Sequence, residues 1–246
     1  EGGGIFASAE SAARPAQVNI LDDVDIESNR GRVGGGLAIV NRAYLRMVGP
    51  RDSVFLNLGR YGGGGIFLAS ASADISASAN PGRALIQRNT TYAGNSGGGI
   101  QAYSYDNANP SNLRVFTTTP NAPIRISEND SSEGGGLQTG GATQVCLKGV
   151  SITGNRGSRG SAIFEFGSRI EGETFAAGLS WNYDCSYPPE ADVPCPLAAG
   201  CNLIHSNTGD SSIVELRSVS RADWKGVHIV NNRAATIVSV GCGNVN

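Results

Sequence analysis

The chain has 246 residues, of which 19 are basic and 21 acidic, so its formal net charge is −2. This balance excludes the basic stripe that non-specific nucleic-acid binding requires. No apolar run reaches the roughly 18 residues of a membrane-spanning helix, and no signal peptide is visible. We expect one domain over residues 1–246, which is long enough for a continuous core.

A two-part motif recurs along the chain, and its clearest copy spans residues 124–137. Its second half is a glycine triplet closed by an aliphatic residue, which weakens towards the end of the chain to Gly160-Ser-Ala-Ile163 and Ala234-Ala-Thr-Ile237. Its first half is an aliphatic residue, two variable residues and an asparagine. The seven asparagines are Asn29, Asn57, Asn89, Asn129, Asn155, Asn207 and Asn232.

Apolar and other residues alternate around this motif, as in Ile124-Arg-Ile126, which is typical of short strands with one buried face. Such strands, separated by bends at a variable spacing, predict a parallel β-helix of stacked coils. We expect the seven asparagines to form an interior ladder of side-chain amides. Asparagine also tolerates the left-handed backbone region, so we expect it to supply a bend.

In chain order, the sequence predicts a glycine box and a loop over 1–17, a first full coil over 18–40 and a bend over 41–53. The segments 69–83 and 103–123 are predicted as loops. The coils that contain Ile126 and Ile152 come next, and they are only 26 residues apart, with almost no insertion between them. A large insertion over about 167–202 precedes the last two coils. Both ends fall in mid-coil, which predicts a segment of a longer protein and leaves self-association through uncapped coil ends open.

The I-x-x-N and G-G-[GAS]-[IL] pattern resembles the repeats of right-handed parallel β-helix surface proteins, a pectate-lyase-like superfold. It is most similar, over about residues 2–240, to the polymorphic outer-membrane proteins, autotransporter adhesins that pair a G-G-A-[ILV] box with F-x-x-N. This chain has Ile or Val where that family has Phe. The resemblance implies an all-β, right-handed solenoid of about seven coils with two long loop insertions. It also implies a secreted or cell-surface protein, with the outer membrane of a bacterium as the expected location.

Three of the five cysteines, Cys185, Cys195 and Cys201, lie in the 167–202 insertion. Their spacing lacks the C-x₂-C pair of a zinc knuckle, and His205 is the only extra ligand nearby. We therefore expect a disulfide among them rather than free thiols or a metal, and we expect no cofactor. A disulfide implies an oxidising compartment, and hence export.

Catalytic signals are weak. The N-T-D, G-H-G and R-I-K signatures of polygalacturonases are missing, and the dense acidic cluster Asp22–Asp25 alternates in a way that puts its carboxylates in solvent. His205 and His228 are predicted to point outward on neighbouring coils, without a nucleophile or carboxylate tied to them. We assign no catalytic residue and favour a structural or adhesive role. The alternative is a lyase or glycoside hydrolase that acts on an acidic polysaccharide.

Aromatic residues favour a binding role. Phe6, Phe67 and Phe164 follow the inward aliphatic residue of their glycine boxes, where a solvent-facing side chain is expected. Either a packed loop covers them, or they form a stacking platform. Loops on a rigid column commonly carry binding residues, so we expect a glycan or a surface protein to bind aromatic side chains on the long loops. The predicted ligand-binding residues are Tyr103, Tyr105, Trp181 and Tyr183.

Overall fold

The computed structural model describes residues 2–11, 14–49, 51–77, 85–92, 94–105, 108–117, 123–166, 178–180, 202–217, 221–223 and 227–241. These residues form strands β1 to β27 and no helix. The described part therefore holds no helix that is long and apolar enough to cross a membrane. Trp181, Tyr183 and the cysteines of the insertion lie outside it.

Three long sheets contain most of the strands. The first sheet is built from β1 (Ile5–Ser8), β5 (Leu37–Val40), β9 (Ile66–Ala69), β13 (Ile100–Ser104), β16 (Leu137–Gly141), β20 (Ile163–Phe166), β24 (Ser212–Arg217) and β27 (Thr236–Gly241). The second is built from β2 (Gln17–Leu21), β6 (Tyr44–Val48), β10 (Ser72–Ala77), β14 (Ser111–Thr117), β17 (Thr143–Lys148), β21 (Gly178–Ser180) and β25 (Arg221–Asp223).

The third sheet is built from β3 (Asp25–Glu27), β7 (Ser53–Phe55), β11 (Leu85–Gln87), β15 (Ile124–Ser127), β18 (Val150–Thr153), β22 (Asn202–His205) and β26 (Val227–Val230). Two small sheets lie between the third sheet and the next strand of the first. They contain β4 (Arg30–Gly31), β8 (Leu58–Gly59) and β12 (Thr90–Thr91), and β19 (Arg156–Gly157) and β23 (Thr208–Gly209).

The chain visits the first, second and third sheets in turn and then repeats the circuit one rung further along. All pairings between the numbered strands are parallel; for example, Ile100 of β13 lies between Ile66 of β9 and Leu137 of β16. The result is a parallel β-solenoid, so the prediction of an all-β chain of stacked parallel strands is confirmed.

The second sheet corrects the predicted loops. Segments 41–53, 69–83 and 103–123 each contain one of its strands, namely β6, β10 and β14. Part of the 167–202 insertion, β21, belongs to the same sheet. The inward side chains of β10 are mostly alanine, as in Ala73 and Ala77, and small residues give little hydrophobic contrast between the two faces of a strand. The alternation of apolar and polar residues in β10 is therefore present in the sequence but weak.

Alternate side chains of the three sheets fill the interior. Leu37 and Ile39 of the first sheet are fully buried, as are Leu45 of the second and Ile126 of the third, and they belong to one continuous core. Removing this apolar surface from water stabilises the column, at roughly 25 cal/mol for each Å² buried. Each rung contributes to the same core, which makes the coils interdependent.

The seven predicted asparagines form one ladder through this interior, linked in chain order from Asn29 to Asn232. In Asn129, Oδ1 accepts the backbone N–H of Asn89 at 2.9 Å and its side-chain N–H at 3.1 Å. The Asn129 amide donates to Oδ1 of Asn155 at 3.0 Å and to the carbonyl of Ile86 at 2.9 Å. Both lone pairs and both protons are thus used, so the buried amide leaves nothing unsatisfied.

The asparagines do not themselves supply the left-handed residue, so that prediction is wrong. The residue immediately before each ladder asparagine has a positive φ, at Ser28, Leu56, Arg88, Glu128, Gly154, Ser206 and Asn231. Turning the backbone there directs the following side chain into the interior, where it can stack. The asparagine is therefore required for hydrogen bonding rather than for backbone conformation.

The glycine triplet 97–99 shows why three glycines occur together. Gly97 has a φ of +70°, a conformation that other residues rarely adopt. A Cβ on Gly98 would come within 2.6 Å of the Gly135 carbonyl oxygen of the next coil. A Cβ on Gly99 would come within 2.9 Å of the Asn129 side-chain nitrogen. The third glycine therefore makes room for the ladder, which explains why the two halves of the motif occur together.

Replacing Asn129 with alanine should destabilise the protein by at least about 1–3 kcal/mol, because the buried N–H groups of Asn89 lose their acceptor. Urea unfolding measures the loss. Asn29→Ala is the matched control, since Asn29 is the first member of the ladder, is only partly buried, and donates to Asn57 without accepting from another ladder asparagine. Equal losses for the two variants would show that the interior position of Asn129 contributes nothing special.

Candidate functional site

The structure places two of the predicted ligand-binding residues side by side. Tyr103 lies on β13, and Tyr105 follows the end of that strand. Their ring centroids are 4.6 Å apart in an edge-to-face arrangement, which is a favourable geometry for aromatic pairs. Tyr105 is 77% exposed, so its ring is available to a ligand while Tyr103 supports it.

Tyr105 borders a groove at the turn from the first sheet to the second, which we call the corner groove. Its volume is about 410 Å³, and its lining residues are Ala9, Glu10, Ser11, Asn41, Arg42, Ser70, Tyr105 and Asn109. Arg42 donates from Nε to Oδ1 of Asn109, and Ser104 donates from Oγ to the Asn109 carbonyl at 2.8 Å. These contacts fix a guanidinium and an amide beside an exposed aromatic ring.

Backbone conformation sets the shape of the corner groove. Asn41, Arg42 and Ser70 all have positive φ values, between 49° and 64°. Asn41 also donates from its side-chain nitrogen to Oγ of Ser8 at 3.0 Å, which ties two coils together. The chain thus turns sharply from the first sheet into the second and leaves a concave edge.

A second groove lies on the outer face of the second sheet, and we call it the face groove. Its volume is about 360 Å³, and its lining residues are Tyr44, Ser72, Asp74, Asn112, Leu113, Arg114, Gln144, Val145 and Cys146. The register explains the polar composition, since Tyr44, Ser72, Asn112 and Gln144 occupy one outward column across four strands. Hydroxyl and amide groups therefore recur at every rung, roughly 4.8 Å apart.

Asp74 organises the face groove. Its carboxylate accepts two hydrogen bonds from the Arg114 guanidinium, one of them from Nε at 2.6 Å, and a third from the Tyr44 hydroxyl at 2.6 Å. These bonds to Asp74 raise the pKa of Arg114, while burial and the same carboxylate raise the pKa of Tyr44. Arg114 is therefore a fixed, permanently charged donor that remains half exposed.

The two grooves adjoin along the chain. Arg42 of the corner groove is two residues before Tyr44 of the face groove, and Ser70 is two residues before Ser72. Together the corner groove and the face groove form the candidate ligand surface. It combines one exposed aromatic ring with guanidinium, amide and hydroxyl groups on a rigid sheet.

Sequence reasoning missed most of this surface, because the strands of the second sheet were predicted as bends and loops. Asp74 and Arg114 lie on β10 and β14, at directly paired positions. The signal that could have found them is the alternation in Tyr44-Leu-Arg-Met47 and in Asn112-Leu-Arg-Val115.

Cys146 marks one end of the face groove and is disulfide-bonded. A disulfide sulfur has no thiol, so Cys146 is neither a nucleophile nor a metal ligand. The other four cysteines, including the predicted Cys185, Cys195 and Cys201, lie outside the described residues.

The phenylalanines after the glycine boxes differ in their exposure to solvent. Phe67 and Phe164 are buried, at 7% and 3% exposure, and Arg159 lies over the Phe164 ring at 4.9 Å. Arg159 lies in the bend before Gly160, and Val33, which lies before Gly34, packs against the cluster that contains Phe67, so bends cover these two rings as the packed-loop interpretation predicts. Phe6 and Phe166 remain about half exposed.

The covering bend is held by an ion-pair network around Glu215. Arg159 pairs with Glu133 at 2.6 Å and with Glu215 at 3.2 Å, and Arg217 also donates to Glu215. Burial favours the neutral form of Glu215, but hydrogen bonds from Ser212, Arg217 and Arg159 outweigh it and lower the pKa. The carboxylates of Glu133 and Glu215 are both paired with arginine, so they do not resemble the acid and the base of a catalytic pair.

Other candidate catalytic groups do not converge. Asp22, Asp23 and Asp25 are exposed, as predicted for a solvated strand face. The Nδ1 of His205 lies 3.3 Å from the Thr153 hydroxyl, and burial, with a smaller effect of Arg125, lowers its pKa. The described residues contain no group of three or more His, Cys, Asp or Glu side chains placed to hold a metal ion. His228 pairs through its backbone with Leu203, and its side chain is outside the description.

Replacing Glu215 with glutamine should destabilise the protein by about 1–3 kcal/mol at neutral pH, because two arginines lose a charged acceptor. The lowered pKa means that wild-type Glu215 stabilises the fold above its ordinary pKa of about 4.3, and that this contribution is lost as the pH falls through the folded value. Urea unfolding over an acidic pH series measures both effects. Glu133→Gln, at a more exposed carboxylate, should cost less, and the reverse order would contradict the assignment.

No family model, curated protein or solved structure matches this chain.

Proposed function

We propose that this protein is a non-catalytic binding protein, exported to a cell surface or the extracellular space, whose candidate ligand surface holds a glycan. The observation that carries this proposal is Tyr105, an exposed ring supported by Tyr103 beside the Arg42–Asn109 pair. An aromatic face stacks on the apolar face of a sugar ring, while guanidinium and amide groups bind its hydroxyls.

The face groove supports an extended ligand. Its amide and hydroxyl column runs across Ser72, Asn112 and Gln144, parallel to the solenoid axis. A glycan chain laid along that axis would meet equivalent donors and acceptors at each rung. Because Arg114 is already fixed by Asp74, little side-chain entropy is lost when it donates to a ligand.

Binding is favoured over catalysis by the number of carboxylates in the two grooves. Each groove is lined by one carboxylate among the described residues, Asp74 in the face groove and Glu10 in the corner groove, and Asp74 is held by Arg114 and Tyr44. Glycoside hydrolysis requires two carboxylic groups on opposite sides of the bond. Neither groove therefore holds, among the described residues, the pair of carboxylic groups that a glycoside hydrolase requires.

Export and the finer architecture complete the proposal. The disulfide at Cys146 supports an oxidising compartment, in keeping with a secreted or surface protein. We propose a right-handed parallel β-helix, because crossovers between parallel strands of one sheet are right-handed in about 98% of cases. Trp181 and Tyr183 stay predicted ligand residues on the insertion.

Replacing Tyr105 with alanine should weaken glycan binding about tenfold or more, at an unchanged melting temperature, because an exposed ring contributes to the ligand rather than to the core. A glycan array followed by titration calorimetry measures the binding. Tyr92→Ala is the matched control, since Tyr92 is also exposed, at 53%, but lies outside both grooves.

Two outcomes would overturn the proposal. An equal loss of binding in Tyr92→Ala, or no binding by the wild-type protein to any arrayed glycan, would remove the glycan assignment. Release of reducing ends or unsaturated sugars from an acidic polysaccharide would show an enzyme instead.

A further inference from the structure

Asp52 is a carboxyl group buried in the wall of the solenoid. It immediately precedes β7, is 0% exposed, and accepts the backbone N–H of Val24 through Oδ1 at 3.0 Å. Its other oxygen, Oδ2, is also buried and receives no hydrogen bond from any described residue. Gly49 packs against the group so closely that a Cβ there would lie 2.5 Å from both carboxyl oxygens. Half of this carboxyl is therefore satisfied and half is not.

Asn202 occupies the equivalent place later in the chain. It is the first residue of β22, is 4% exposed, and accepts the backbone N–H of Val150 through Oδ1 at 3.0 Å. Its side-chain nitrogen donates to the carbonyl of Leu147 at 3.0 Å. The strand registers put Val24 beside Asp52 and Val150 beside Asn202 in the same column of the third sheet. Asp52 has a bare oxygen where Asn202 has an N–H donor.

The surroundings of Asp52 are unfavourable for a negative charge. Burial raises its pKa, the Val24 N–H opposes that rise, and Asp22, Asp23 and Asp25 on the preceding coil add to it. Arg51 pairs with Asp23 at 4.0 Å, and both side chains are exposed. These carboxylates are not grouped to hold a metal ion among the residues described. A proton is therefore the simplest way to satisfy Oδ2.

We propose that Asp52 is a proton-dependent latch: a proton on Oδ2 removes the unfavourable buried charge and stabilises the turn between the second and third sheets, and loss of that proton to solvent destabilises the turn. The carboxylic acid has the shape of an asparagine side chain, one acceptor and one donor group included. The inference is independent of the glycan proposal, because Asp52 lines neither groove.

The direction of the pH effect follows from the raised pKa. The stabilising contribution of Asp52 is complete below its unfolded pKa of about 3.9 and is lost as the pH rises through the higher folded value. The latch therefore closes in acid and opens towards neutral pH. Glu215 has the opposite dependence, so the two groups can be separated by single substitutions.

Melting temperatures of the wild type, Asp52→Asn and Asn202→Asp across a series from pH 4 to pH 8 test the latch. The melting temperature of Asp52→Asn should equal that of the wild type at the acid end and exceed it increasingly as the pH rises. The gap should widen by about 3–5 °C per pH unit until the folded pKa is passed. Asn202→Asp should acquire a second, similar loss of stability with rising pH. A ¹³C carboxyl titration of Asp52 in the wild-type protein should show a pKa above that of a free aspartate, and this measurement does not depend on any variant folding.

A constant difference between Asp52→Asn and the wild type at every pH would overturn the latch, as would a carboxyl titration at or below the ordinary aspartate value. Calcium provides a further check. If added calcium raises the melting temperature of the wild type but not of Asp52→Asn, a cation rather than a proton satisfies the buried oxygen, and the proposal fails.

Discussion

The structure depends on placing one asparagine amide at the same interior point of each coil. An amide buried in an apolar core is unfavourable unless all of its hydrogen-bonding groups are used. Here Asn89, Asn129 and Asn155 satisfy one another and the backbone of the preceding coil. Because each coil needs the next to complete its bonds, the ladder fixes the register as well as the stability of the stack.

The glycine box is a consequence of that ladder. The third glycine approaches the asparagine of the next coil, and in later coils the buried residues Ala162 and Ile213 take the corresponding place. The left-handed turn is displaced onto the residue before the asparagine, which several residue types supply. The interior is thus tightly constrained, while outward positions of the strands are free to carry function.

The two outer faces use that freedom differently. On the first sheet, residues of the bends cover part of the outward face, since Arg159 lies over Phe164 and Val33 packs against the cluster that contains Phe67. On the second sheet, Tyr44, Asp74 and Arg114 border an open groove.

Burial alone does not determine the charge state of the buried acidic groups. Asp52 and Glu215 are both almost fully buried, but Glu215 has three donors and Asp52 has one backbone N–H, so their pKa values shift in opposite directions.

The sequence by itself determined the all-β repeat, the strands flanking the motif and the positions of the asparagines, because hydrophobic alternation and interior stacking are imposed locally at fixed spacing. The sequence also predicted Tyr103 and Tyr105 as ligand-binding residues, because aromatic residues on a polar segment stand out, and that role stays a prediction. The tertiary structure alone decided the second sheet, whose alanine-rich strand β10 shows little contrast between its faces. It also decided the pairing of Asp74 with Arg114, which lie 40 residues apart and meet only when two coils stack. Which outward column is covered and which is open depends on how the bends fold back over the sheet, and no local pattern encodes that.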